Sequence, residues 1–166
     1  IPSTALDGLA PDEQARGLDA FVVLMLEAPA GGEESEAQEI AYKRVRVSMS
    51  DAPNANPSID VLLVHGAPEG DVHARAGDLL PLSATVTADS LQNFVDPVGD
   101  PQVDEIKFSW FATAGRFESG LTFGEPATGE TANDWHVPDD LEPTDLWLVA
   151  RDPRGGVDWR RRHVFP

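Results

Sequence analysis

Four carboxylates crowd one short stretch, "FVDPVGDPQVDE", which carries Asp96, Asp100, Asp104 and Glu105. Calcium takes six to eight oxygen ligands, so Asp96, Asp100 and Asp104 are candidate ligands and calcium is the one cofactor in view. Their spacing is not that of an EF-hand loop, and the prolines restrict the chain; the other reading is a solvated turn. A second cluster is basic. "DLWLVARDPRGGVDWRRRHVF", residues 145–165, sets Arg151, Arg154 and Arg160, Arg161 and Arg162 around Gly155-Gly156. Arg154, Arg160 and Arg162 are candidates for contact with an acidic protein partner. On a regular strand the three consecutive arginines alternate faces and form no flat basic patch. Their stems can instead lie on apolar surface while the heads neutralise an acidic protein. Asp152 is placed to accept bonds from the turn backbone or to pair with Arg154. The four histidines, His65, His73, His136 and His163, are widely spaced. No G-x-S-x-G elbow, H-E-x-x-H helix or phosphate-cradling loop occurs, so no catalytic residue is proposed and the expectation is a non-enzymatic protein.

Bulk composition narrows the classes further. The 166 residues hold 29 acidic against 12 basic side chains, a net charge of −17. That charge repels nucleic acid and anionic lipid and favours solubility. Hydrophobic residues make up 41%, enough for a core. Cysteine is absent, which removes disulfides, thiolate metal sites and thiol catalysis together. The longest apolar run, Ala20 to Leu26, is far short of the roughly 20 residues a membrane helix needs. Any membrane attachment would therefore run through a lipid anchor outside this sequence.

The candidate residues must be held by short strands. Residues 20–28 and 38–49 alternate as two strands around the polar connection "PAGGEESEAQ". Asp12-Glu13 after Pro11 favours a brief helical turn before them. "SDAPNANPS" reads as a linker, with residues 51–58 separating an N-terminal segment, 1–50, from a domain over 59–166. Within that domain "IDVLLVHG", "DLLPLSATVT", "DEIKFSWFAT", "GRFES", "NDWHVP" and the arms of the 145–165 hairpin read as strands. Pro81 cannot donate to a ladder, which predicts an edge strand or a bulge at that point. Short alternating strands without an amphipathic helix make an all-β protein, a β-sandwich.

The two segments share a pattern. "VVLMLEAPAGG" followed by "YKRVRV" parallels "LWLVARDPRGG" followed by "WRRRHVF", with Pro29 matching Pro153, Gly31-Gly32 matching Gly155-Gly156 and Tyr42 matching Trp159. Either the unit recurs in tandem, making 1–50 the C-terminal part of a preceding sandwich domain, or two Pro-Gly hairpins are alike by chance.

Trp110 with Ala114-Gly115, Trp135 with Pro138, and Arg151-Asp152-Pro153-Arg154-Gly155-Gly156-Val157 resemble the immunoglobulin-like (PKD/cadherin-like) repeats of predicted bacterial cell-surface lipoproteins. The resemblance covers 59–166 well and 1–50 partly. It implies an immunoglobulin-like β-sandwich preceded by a β-hairpin from a partial sandwich domain. It also implies an extracytoplasmic place, in the periplasm or at the cell surface, associated with the outer membrane. The expected work is that of a spacer, adhesive module or accessory subunit of an envelope complex, with other protein subunits or surface proteins as partners. The alternative is a calcium- or carbohydrate-binding module attached to a secreted enzyme.

Overall fold

A computed structural model describes residues 4–27, 38–49, 53–96 and 99–166. Most of the polar connection, with Pro29 and Gly31-Gly32, lies outside the described residues, as do Ile1-Pro2 and Pro97-Val98. The chain divides into two compact units, Ile1–Pro53 and Asn54–Pro166.

The first unit opens with the short helix α1 (Pro11–Arg16), where Pro11 enters at the first turn, Asp12 and Glu13 follow it, and Arg16 pairs back to Asp12. This is the placement the helix dipole favours. Gly17 then takes φ +76, and a Cβ there would overlap the Val47 carbonyl. Strands β1 (Leu18–Glu27) and β2 (Gln38–Val47) form an antiparallel hairpin. One face carries Leu18, Ala20, Val22 and Leu24 opposite Val47, Val45, Lys43 and Ala41. The other carries Asp19, Phe21, Val23 and Met25 opposite Arg46, Arg44, Tyr42 and Ile40. Apolar side chains on both faces are exposed, Val22 and Tyr42 among them.

The second unit is an immunoglobulin-like β-sandwich. Its strands are β3 (Ile59–Val64), β4 (Val72–His73), β5 (Leu79–Val86), β6 (Asn93–Val95), β7 (Pro101–Val103), β8 (Lys107–Ala112), β9 (Arg116–Phe117), β10 (Leu121–Phe123), β11 (Thr131–His136), β12 (Thr144–Arg151) and β13 (Val157–Phe165). One sheet runs β3-β5-β11-β9 and the other β10-β8-β12-β13-β4, with β4 parallel to β13. Constant-type immunoglobulin domains order strands A-B-E-D against C-F-G. Here β3, β5, β11 and β9 stand as the first set and β8, β12 and β13 as the second. Alternation explains the core: Leu80, Leu82, Ala84 and Val86 of β5 face Phe108 and Trp110 of β8 and Leu146, Leu148 and Ala150 of β12 in one buried cluster.

Trp110 occupies the strand on which immunoglobulin sandwiches keep a buried tryptophan. It is 4% exposed, and its indole N–H donates to Thr122 Oγ1 at 2.9 Å. Trp135 is more deeply buried and donates to the Ala114 carbonyl. Gly115 makes that possible: it takes φ +72 directly against the Trp135 ring.

Pro81 corrects the edge-or-bulge expectation. β5 lies between β3 and β11, and the register shift of the sheet falls in β3, between Ile59 and Val61. Pro81 is tolerated because β3 has ended at Val64, where the sheet no longer needs its missing donor. The Pro81 carbonyl still accepts the His65 N–H at 2.9 Å. Part of the segment read as linker packs with the second unit. Pro57 is buried, Asn54 donates to Asp152, Ser58 N–H donates to Ser90 Oγ, and Asn56 accepts the Val157 N–H. The stretch "FVDPVGDPQVDE" is a small hairpin, β6 paired with β7, with Asp96 and Asp100 at its tip.

Candidate functional site

The β12–β13 hairpin carries Arg154 in its turn and Arg160 and Arg162 on one face of β13, with Arg161 on the other. Asp158, Arg160 and Arg162 point toward the opposite sheet, whose outer strand β3 presents unpaired backbone groups. Asp158 accepts the Ile59 N–H at 2.8 Å, and Arg160 Nη2 donates to the Ile59 carbonyl at 2.6 Å. Arg162 donates to the carbonyls of Leu62, Ala67, Pro68 and Gly70. It is 8% exposed, and burial lowers its pKa against the opposing pull of Glu69. The guanidinium reaches several carbonyls because its donors form a planar fork. Nη1 and Nη2 of Arg162, expected as a partner contact, are thus bonded within the fold. Arg160 also holds Asp158, at 3.1 Å.

The turn is built as tightly. Asp152 Oδ1 accepts the N–H groups of Arg154 and Gly156, each at 2.8 Å. Of the two glycines, Gly155 alone takes positive φ, at +101. Gly156 is required for space: a Cβ there would overlap the Asp152 carboxylate. Arg154 Nε donates to Asp104 Oδ1 at 3.0 Å, its Nη2 donates to Asp104 Oδ2 and to Gln92, and its guanidinium lies over the Phe94 ring. Asp104 is 2% exposed. A residue expected as a calcium ligand and one expected as a partner contact are therefore each other's partners. Asp96 accepts the Asp100 N–H and a Gln102 amide N–H at the hairpin tip. Among the described residues no group of His, Asp and Glu is arranged to hold a metal ion.

The other face of β12–β13 is solvent-facing. Arg161 and His163 both contact Asp145, each at 2.6 Å, and Arg161 lies 5.5 Å over the Trp147 ring. The hydrogen bond from Arg161 holds the Asp145 carboxyl below its ordinary value. Elsewhere His136 hydrogen-bonds Glu118 and lowers that carboxyl in the same way. His73 and His163 flank Phe165, with ring separations of 5.9 and 6.3 Å. An open depression of about 470 Å³ beside β13 is lined by Asp60, Glu69, Asp71 and residues 160–163. The donors of Arg160 and Arg162 that border it are engaged in the bonds given above.

One face of the first unit carries similar residue types. In β12–β13 the outward pairs are Asp145 with His163, Trp147 with Arg161 and Val149 with Trp159. In β1–β2 the pairs on one face are Asp19 with Arg46, Phe21 with Arg44 and Val23 with Tyr42. Asp19 contacts both Arg46, at 2.6 Å, and Arg44, at 3.8 Å, as Asp145 contacts His163 and Arg161. The Arg46 hydrogen bond lowers the Asp19 pKa, as Arg161 does for Asp145. With Asp19 set on Asp145, Tyr42 falls at the position of Trp159. The cross-strand register moves the match on the first strand by two residues, so that Phe21 rather than Val23 stands where Trp147 does.

No protein-family model and no curated protein matches the sequence. Among solved structures, a nucleoside hydrolase-related hypothetical protein from Saccharophagus degradans, associated with carbohydrate metabolism, is similar at 19% identity and TM-score 0.39. The match covers 68% of this chain and 26% of that one. The D00-D0 domain of Intimin is similar at 9% identity and TM-score 0.41, over 88% of this chain and 65% of that one. The D0-D1 domain of Intimin is similar at 11% identity and TM-score 0.40, over 92% and 83%. The chain thus spans about a quarter of the first structure's length and just under two thirds of the second's.

Proposed function

We propose that this chain is a non-enzymatic structural and protein-binding part of a bacterial cell-envelope or surface protein. In this reading it is built from tandem immunoglobulin-like units, with residues 1–50 the closing hairpin of a preceding unit. The observation that carries the reading is the shared register of β1–β2 and β12–β13, in which an aspartate, an aromatic ring and paired basic residues recur at equivalent positions. A repeated sandwich unit with a filled core serves as a spacer or a platform rather than as a reaction vessel. The hairpin also supports it. A two-stranded ribbon with apolar side chains exposed on both faces is not independently stable in water, so it belongs against further strands.

Limited proteolysis of the natural polypeptide, isolated from the bacterium that makes it, tests the tandem arrangement. Cleavage between residues 49 and 53 should leave 54–166 resistant and should leave 4–47 protected within a second resistant body. Rapid loss of 4–47 would defeat the tandem reading. Protease applied to cells with a permeabilised outer membrane should reach the chain; protection alongside cytoplasmic markers would defeat the extracytoplasmic one.

A further inference from the structure

We propose that the outward face of the β10-β8-β12-β13-β4 sheet is a docking surface for an acidic protein segment. This deepens the protein-binding reading by naming the surface and the chemistry of its partner.

The face is apolar where solvent-facing strands are ordinarily polar. Cross-strand register lines its side chains into rows: Leu121, Ser109, Val149 and Trp159 in one, and Phe111, Trp147 and Arg161 in the next. Phe111 is 51% exposed and Trp159 59%. Exposed aromatic groups in one contiguous field mark interaction surfaces, and Trp and Arg are the side chains that dominate binding at protein interfaces.

Charge selects the partner. The whole chain carries −17, yet the paired strands of this face present Lys107, Arg151 and Arg161, the last paired with Asp145. Lys107 stands 5.8 Å over the Phe123 ring, and Arg161 lies over Trp147. A basic, aromatic face attracts an acidic segment over a neutral one and repels a basic one. Neighbouring strands lie about 4.8 Å apart and successive rows about 6.8 Å apart, the latter being the same-side spacing of an extended peptide.

Selection of a phage-displayed random peptide library on the immobilised full chain tests the proposal. Enriched peptides should combine Asp or Glu with apolar residues, and their binding should weaken as salt rises. Trp159→Ala and Arg161→Glu should each reduce the affinity of a selected peptide about tenfold or more, whereas Glu130→Gln on another surface should not. Phe111→Ala gives an independent variant should either of the first two lower the melting temperature. No enrichment, enrichment of neutral or basic peptides, or binding indifferent to Trp159 and Phe111 would overturn the proposal. Binding of a polyuronate probe through Trp159 in place of any peptide would overturn it too, making the occupant a polysaccharide. None of these outcomes bears on the protection of 4–47 from protease, so the two readings fail separately.

Discussion

Arg162 Nη1 lies 3.0 Å from the Leu62 carbonyl oxygen, so a side chain of one sheet hydrogen-bonds the open backbone edge of the other. Edge strands present rows of unpaired N–H and C=O groups that invite unwanted pairing. Asp158, Arg160 and Arg162 occupy such groups along β3 with charged side chains from β13. The closing hairpin thus protects a sheet edge with its inward face and presents aromatic and basic groups on its outward face.

Replacing Arg162 by Met leaves four carbonyls without their donor. The expected loss is about 3 kcal/mol, read from urea unfolding of the full chain. Arg162→Lys should recover only a minor part, because a point charge does not span the carbonyls the planar fork reaches.

Asp104 and Arg154 form a mostly buried pair, and removing either partner strands the other. Asp104→Asn and Arg154→Met are each expected to destabilise by about 3 kcal/mol. The double variant should lose less than the sum, because both changes remove the same interaction. Both Asp104 oxygens are engaged by Arg154, so calcium should leave the melting temperature of the wild-type protein unchanged.

The acid limb of stability should carry the signature of Asp145. Its pKa is lowered in the folded protein, chiefly by the Arg161 hydrogen bond, from an ordinary value of 3.8. The unfolded chain therefore takes up the proton first as pH falls. The stability contributed is complete above about pH 5 and is lost as pH drops through the lower folded value. Asp145→Asn should melt at a lower temperature than wild type near neutral pH, with the difference shrinking in strong acid and in high salt. Thermal melts across that range check the sign.

Gly115→Ala places a Cβ against the Trp135 ring at a positive φ. Both penalties act on the folded state, and the expected cost is about 2 kcal/mol or more. Near-ultraviolet circular dichroism should change with it, because the Trp135 indole must move.

The two units should differ when expressed apart. Residues 54–166 hold a continuous core and should unfold in one cooperative transition. Residues 4–49 offer a two-stranded ribbon and a short helix, and should show no cooperative transition. Calorimetry of the two fragments distinguishes them.

The long strands were legible because they alternate. β5 and β8 each run far enough for period-two patterning to mark the apolar side, and Trp110 lies on that side as the sequence implies. The three-residue strands β6, β7 and β10 escaped notice, since so few residues set no period. The placement of Pro81 escaped for another reason. Its missing donor marks a place where no bond is needed, and the local sequence does not say whether that place is an edge or the end of a neighbouring strand.

The candidate site divides the same way. Composition and spacing alone put Arg160 and Arg162 on one face of a strand and Arg161 on the other, because side-chain direction follows from chain geometry. Which face looks into the protein depended on β3 lying across from β13, a contact between residues about a hundred positions apart. The pairing of Asp104 with Arg154 was likewise invisible, although both residues were singled out, because it joins two hairpins distant in the chain. Alternation and the places of turns follow from residue type and near neighbours, and so were open to reading from the chain alone. Only the tertiary structure decided which charges are consumed within the fold and which remain at its surface, because an ion pair is set by proximity in space, and proximity in space is set by how the sheets meet.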